Sequence, residues 1–434
     1  MSKSLISLVW LAGPLTGLLV QPVAGSLSDA CTSRFGRRRP FIFVSGALTL
    51  VCLLIMGWSR DVVQFMVHDD SLAQSLIITS IVIAVFLLDF AVNTVAAASR
   101  ALIVDCLPPD KQKIGNAWAS RMVAVGHLAS YLLGYVDLRS RLSWLGDSQF
   151  KICLVLSIIA LGIGTCVTCF AIHEEVHPEK KEVQGLFSTL SQLYKVFWGL
   201  SSRTQLVCLI QSLAWHGWFP FLFYTSTWVG EVYATGRQDV DVDTRSRMGS
   251  RALLLFAVMT LLCSYLLPKC VKGNQDHDRN KFGLTQSKLW GISHMVFALA
   301  MCSTVLVRHS IGATIIVALC GFSWAVTAWI PFSLVGEEIL DTGMSLDRAT
   351  PSNGKAGAIL GIHNIAICLP QFVISFISSL VFKIMHTDDS TLAQGHNSTS
   401  VVLFIGGVMS ALAGLVTLSR LNRFPDRVYK TANS

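Results

Sequence analysis

Runs of about 20 apolar residues, long enough to cross roughly 30 Å of hydrocarbon, recur from end to end of this chain and are separated by short charged segments. Windows of this kind predict helices near 5–28, 40–58, 75–102, 115–136 and 151–172. A polar stretch from His173 to about Arg203, rich in Glu174, Glu175, Lys180 and Lys181, interrupts the pattern and reads as a linker. Beyond it the windows predict helices near 204–228, 250–268, 286–306, 310–335, 355–384 and 400–420. The expected fold is therefore all-α and polytopic, with about five spans in residues 1–172, a linker over 173–203, about six spans in 204–420 and a tail over 421–434.

Composition agrees with that pattern. Of 434 residues 52% are hydrophobic and only 14% charged, and the mean hydropathy is +0.57, whereas a soluble domain carries about 25% charged residues. The formal net charge of +8 gathers in alternate loops and not along one face, which argues against nucleic acid as a partner and for membrane topology. Arg34 and Arg37 to Arg39, Lys111 and Lys113, Lys180 and Lys181, Lys269 and Lys272, Arg348 and the basic tail then fall on one side. The positive-inside rule puts that side in the cytoplasm, the N-terminus outside and the C-terminus inside. Asn397-Ser398-Thr399, a glycosylation sequon, falls outside in the same topology.

Enzymatic chemistry finds no support in this sequence, which has no nucleophile motif, metal pair or phosphate loop. The 12 cysteines sit mostly alone in apolar stretches and are read as small hydrophobes. Cys166 and Cys169 form a C-x-x-C, but with no second pair and no histidine nearby it is not read as a metal or redox site. No cofactor is expected. The densest charge follows Gly25-Ser26-Leu27-Ser28-Asp29, in Ser33-Arg34-Phe35-Gly36-Arg37-Arg38-Arg39-Pro40. Asp29 facing Arg37 and Arg38 is expected to latch two helices in one conformation and release them in another.

Longer matches carry a resemblance. Trp10-Leu11-Ala12-Gly13-Pro14, Arg34-Phe35-Gly36-Arg37-Arg38-Arg39-Pro40, Leu88-Asp89-Phe90-Ala91-Val92-Asn93 and Ser99-Arg100-Ala101-Leu102-Ile103-Val104-Asp105 occur in that order. Trp218-Phe219-Pro220, Arg247-Met248-Gly249, Ile330-Pro331-Phe332 and Leu369-Pro370-Gln371 follow. This series resembles the sucrose/proton symporter family, which includes plant sucrose and fungal alpha-glucoside transporters, within the major facilitator superfamily. The resemblance implies about 11 of the usual 12 helices of that fold, the match starting at the family's second helix. It also implies proton-coupled movement of a disaccharide by alternating access, in a monomer surrounded by lipid. A monosaccharide carrier and a sugar sensor or incomplete carrier are the alternatives, and plasma membrane or vacuole the expected sites. At Tyr224 to Glu231 the chain departs from the plant members, keeping only one charge where they carry an ionic cluster.

Within that frame the residues divide by chemistry. Asp89 lies mid-helix, where an ionised carboxylate costs several kcal/mol, and it is the expected carrier of the coupling proton. Arg100, eleven residues on, stands about 16 Å further along the helix and is expected either to donate to sugar hydroxyls or to close on Asp105. Asn93 and Gln371 supply amide donors and acceptors, and Trp215 and Trp218 supply aromatic platforms for the C–H faces of a sugar. Asp29, Arg37, Arg38 and Asp105 form the expected gate. His127, His216, His294 and His363 are read first as helix–helix hydrogen bonders.

Overall fold

The computed structural model describes residues 13, 16, 17, 20, 23, 24, 27, 28, 31–106, 109–172, 174, 194–237, 239–267, 270, 271, 284–336, 353–386 and 398–424. Its long helices are α1 (Arg39–Met66), α2 (Asp70–Cys106), α3 (Pro109–Tyr135), α4 (Gln149–Ala171), α5 (Ser202–Ala234), α6 (Val242–Leu266), α7 (Gln286–Cys302), α8 (Ser310–Thr327), α9 (Asn353–His386) and α10 (Ser398–Ser419). Among the described residues nine helical stretches are long and apolar enough to cross a membrane, and Met122–Tyr135 is a shorter apolar one. Of the span expected near 5–28, eight residues from Gly13 to Ser28 are described and all are helical. Asp29 and Asn397 lie outside the described residues.

The helices outrun the windows that predict them. The window near 40–58 becomes Arg39–Met66, and that near 204–228 becomes Ser202–Ala234. Hydropathy marks only the part that sits in hydrocarbon, whereas the backbone keeps its internal hydrogen bonds until a cap replaces them. Those caps are visible: Ser148, Ser201 and Thr285 accept from the backbone N–H groups of Lys151, Thr204 and Lys288. Before α2, Asp69 accepts from Leu72 N, the Ser71 hydroxyl and Ser71 N, which holds its carboxyl below the usual range. One window is broken. The helix expected over 310–335 turns at Ala328–Trp329 and resumes over 330–336, because Pro331 has no N–H to offer the Thr327 carbonyl.

The chain forms two compact units, Met1–Val125 with Asp137–Ser191, and Gly126–Val136 with Gln192–Ser434. In the first, α1 lies against α2 and α4 around Ile42, Ala98, Leu102 and Cys169. Gly46 brings α1 close to α4, since a Cβ there would sit 2.9 Å from Thr165 Oγ1.

The second unit has a larger, aromatic core. Trp218 of α5 is fully buried, with ring centroids 4.1 Å from Phe297, 4.8 Å from Trp324 and 5.5 Å from Phe221. Edge-to-face and tilted contacts of this kind join α5 to α7 and α8 and add about 0.5–1.5 kcal/mol per pair beyond burial. Beside it, α5 crosses α10 at Gly217 and Gly406, where a Cβ on Gly217 would stand 2.6 Å from the Gly406 carbonyl oxygen. That neighbour is backbone and cannot turn aside, so Gly217→Ala is expected to cost about 1–3 kcal/mol. A lower unfolding temperature of the purified carrier and less of it at the membrane would show this.

Candidate functional site

Helix α2 carries four of the expected functional residues, and its length positions them at different depths. Asp89 is half-buried near its middle. Among the described residues no hydrogen bond or ion pair reaches its carboxylate; burial is the sole influence on it. One turn on, Asn93 donates through Nδ2 to the Asp89 carbonyl at 2.9 Å and to Thr16 Oγ1 at 3.2 Å. Thr16 in turn donates to the Gly13 carbonyl at 3.0 Å. Asn93 therefore holds α2 to the helical residues around Thr16, directly beside the carboxyl group. Arg100 is exposed two turns further on and has no ion-pair partner among the described residues.

At the C-terminal end of α2 the basic loop closes over Asp105. Arg37 grips that carboxylate with both faces of its fork, Nη2 to Oδ1 at 2.8 Å and Nε to Oδ2 at 3.1 Å. Arg38, largely buried, adds Nε to Oδ2 at 2.8 Å and donates through Nη1 to the Ser28 hydroxyl. The expected closure of Arg100 on Asp105 is thus replaced. The carboxylate is already held by two guanidinium groups, Arg37 bidentately and Arg38 through Nε.

Glu174 completes this cluster from just beyond α4. Its Oε2 accepts from Arg37 N at 2.7 Å and Arg38 N at 2.8 Å, and its Oε1 from Arg39 N at 2.7 Å. Three backbone N–H groups at the start of α1 converge on one carboxylate, which also meets the positive end of the helix dipole. Sequence reading leaves Glu174 in the linker. The available signal is that Arg38-Arg39-Pro40 opens a helix with no Ser, Thr or Asp cap, so the N–H groups need an acceptor from elsewhere.

Gly36 makes the approach possible. It has φ +96°, a left-handed conformation, and a Cβ on it would lie 2.6 Å from Glu174 Cβ. Gly36→Ala is expected to pay about 1–2 kcal/mol in backbone strain and to push Glu174 off its three donors. A thermal melt of the detergent-solubilised protein should fall, and Glu174→Ala added to it should cost little more.

The aromatic and amide candidates lie in the second unit. Trp215 is half-buried, edge-on to Trp324 at 6.1 Å, and its indole N–H is buried with no hydrogen-bond partner among the described residues. Gln371 is buried in α9 directly after Pro370. Trp218 is a correction to the sequence reading. Its ring is covered by Phe297, Trp324 and Phe221, so it serves the core and offers no platform to a sugar here.

Comparison with known proteins fits this geometry. The family profile described as Major Facilitator Superfamily matches residues 1–375. The general alpha-glucoside permease of Schizosaccharomyces pombe is 33% identical over 95% of this chain and 86% of its own. The sucrose transport protein SUC4 of Arabidopsis thaliana is 26% identical over 94% of this chain and 82% of its own. Among solved structures, a D-xylose-proton symporter superposes with a TM-score of 0.64, covering 96% of this chain and 89% of that one at 17% identity, which speaks for the fold alone. The chain is an integral membrane carrier and not an enzyme: it belongs to the branch of the major facilitator superfamily that holds the alpha-glucoside and sucrose permeases.

Proposed function

We propose that this protein moves a disaccharide, an alpha-glucoside such as maltose or sucrose, together with a proton by alternating access. The observation that carries the reading is Asp89, a carboxyl group inside a membrane-spanning helix with no cation beside it among the described residues. A charge-neutral carrier has no use for such a group, whereas a symporter needs one that binds a proton on one side and yields it on the other. Linkage then requires that proton binding at Asp89 favour sugar binding and that sugar favour the proton equally.

The substrate class is supported by the permease of S. pombe, the relative with 33% identity. Within the first unit Arg100 offers a fork of donors for sugar hydroxyls, and Asn93 positions the backbone beside Asp89. Within the second, Trp215 brings an unpartnered indole N–H and a ring face, and Gln371 an amide. Arg37, Arg38, Asp105 and Glu174 touch no sugar in this scheme and act as the latch. The basic loops support a cytoplasmic C-terminus.

The test is uptake of radiolabelled maltose and sucrose by cells lacking their own carriers, in mildly acidic and in neutral medium. Uptake that rises with external acidity and collapses with a protonophore is the expected result. Uptake of either sugar that ignores both would overturn proton coupling, and acid-driven uptake of a monosaccharide alone would overturn the substrate class.

A further inference from the structure

The seam between α5 and α9 in the second unit is polar where a membrane interior should be dry. At its N-terminal end Gln211 and His363, both fully buried, meet Nε2 to Nε2 at 3.2 Å. The Gln211 carbonyl oxygen is buried beside them without a partner among the described residues. The edge of Phe332, from the segment after the break in α8, closes over the imidazole at 4.8 Å. At the other end the Tyr224 ring meets Phe382 of α9 at 5.2 Å, and Ser378 stands beside the Tyr224 hydroxyl.

Polar groups also fill the distance between those ends. At 100° per residue His363, Gln371, Ser375 and Ser378 fall within about 120° of one another around α9, and His363 to Ser378 rises about 22 Å. Pro370 has no N–H, which releases the carbonyl of Ala366 into the gap, and Ala366 packs on the cluster that includes Cys208 of α5. Several hydroxyls elsewhere turn back to their own backbone, Thr94 to Phe90 O, Thr260 to Phe256 O and Thr417 to Ala413 O, while Ser287, Thr327 and Ser410 are buried without a partner among the described residues. Thr225 on α5 and Ser375 on α9 are likewise buried without a partner among the described residues, here on the two helices that flank one seam. An unmade hydrogen bond is costly in hydrocarbon, so hydroxyls held this way point to polar occupants of the seam.

We infer that the α5–α9 seam is a hydrated proton-conducting track with His363 as the proton-binding group at its end. The inference rests on the symport reading above. Each hydroxyl passes on its own proton while accepting another, so the track is unchanged by a transfer, and the imidazole takes up the arriving proton on a ring nitrogen and yields it to water on the other side once the carrier has alternated. A half-turn of the Gln211 amide then presents its carbonyl oxygen to the Nε2–H, so the charged ring keeps its partner on α5. Between Thr204 and Gly230 α5 carries the titratable Cys208, His216 and Tyr224, and between Ala356 and Met385 α9 carries His363, Cys368 and Lys383; the segment after α8 contributes Phe332, and α10 carries no charged residue over Ser398–Ser419.

The test separates proton movement from sugar movement, using the full-length carrier in proteoliposomes with maltose. Acid-driven uptake requires net proton transfer, whereas counterflow of labelled against unlabelled maltose does not. The paired substitution Thr225→Val with Ser375→Ala, which keeps volume and removes two hydroxyls, and separately His363→Gln are expected to lower acid-driven uptake about tenfold while counterflow stays within about twofold. An equal fall in both would mean the seam is packing only, and no change in either would likewise overturn the track. Wild-type counterflow without any acid-driven uptake would instead sink the symport reading, and the track with it.

Discussion

Asp89→Asn should abolish accumulation of sugar against its gradient while leaving the carrier in the membrane at normal levels. The amide matches the carboxyl in shape and keeps the hydrogen-bonding capacity of a neutral acid, but it can neither lose nor gain a proton. Because no ion pair or hydrogen bond among the described residues holds the Asp89 side chain, none of those residues is stranded by the change and folding should be indifferent to it. The loss should therefore be one of coupling. Acid-driven uptake is expected to fall at least about a hundredfold, while counterflow persists at a rate no longer dependent on pH. Asn93→Ala provides the contrast. It removes the bonds to Thr16 Oγ1 and the Asp89 carbonyl, and should weaken transport at every pH without erasing its acid stimulation. A variant at Asp89 that still concentrates sugar would exclude it as the proton carrier.

What could be read in advance follows from which forces act locally. The spans were legible because hydrocarbon imposes its requirement residue by residue, and Asp89 stood out because a carboxyl is rare there. Helix ends were less legible, since caps such as Asp69 and Ser201 lie outside the apolar window. The break in α8 was written in Pro331, but a proline in a membrane helix gives a kink, a break or neither according to its neighbours. Trp218 shows the limit of composition. A tryptophan in the core and one lining a cavity have the same sequence signature, and only Phe297 and Trp324 packed upon the ring decide between them. Glu174 shows another limit, because its three donors lie more than 130 residues away in the chain. Sequence shows that α1 lacks a cap of its own; which carboxylate supplies it depends on the path of α4.

Asp105→Asn is the second change expected to have a large effect, and it acts on the latch. In the wild type one carboxylate faces two guanidinium groups, with Arg38 largely buried. Removing one partner of a buried charge pair strands the other, at a cost of about 3–5 kcal/mol where burial is complete and less at this partly open site. Arg37 and Arg38 would then repel each other, leaving Glu174 on the backbone N–H groups and Ser28 on the Arg38 side chain as ties to the start of α1. If the cluster holds one conformation closed, turnover should fall about tenfold with KM little changed, since no sugar contact is lost. Cys106, next to Asp105 and exposed, reports on the same event. Its thiol is pushed above its ordinary value by desolvation first, then by the Glu174 and Asp105 carboxylates, against the pull of Arg37. Neutralising Asp105 removes one of the anions that disfavour thiolate, so the thiol pKa falls and the thiolate fraction at neutral pH rises. With Cys106 as the sole remaining cysteine, maleimide labelling should be faster in Asp105→Asn than in the parent at neutral pH, and the difference should vanish in strongly alkaline medium, where both thiols are ionised. Slower turnover with unchanged labelling would locate the effect away from this cluster, and unchanged turnover would show that the arginines fix topology and gate nothing.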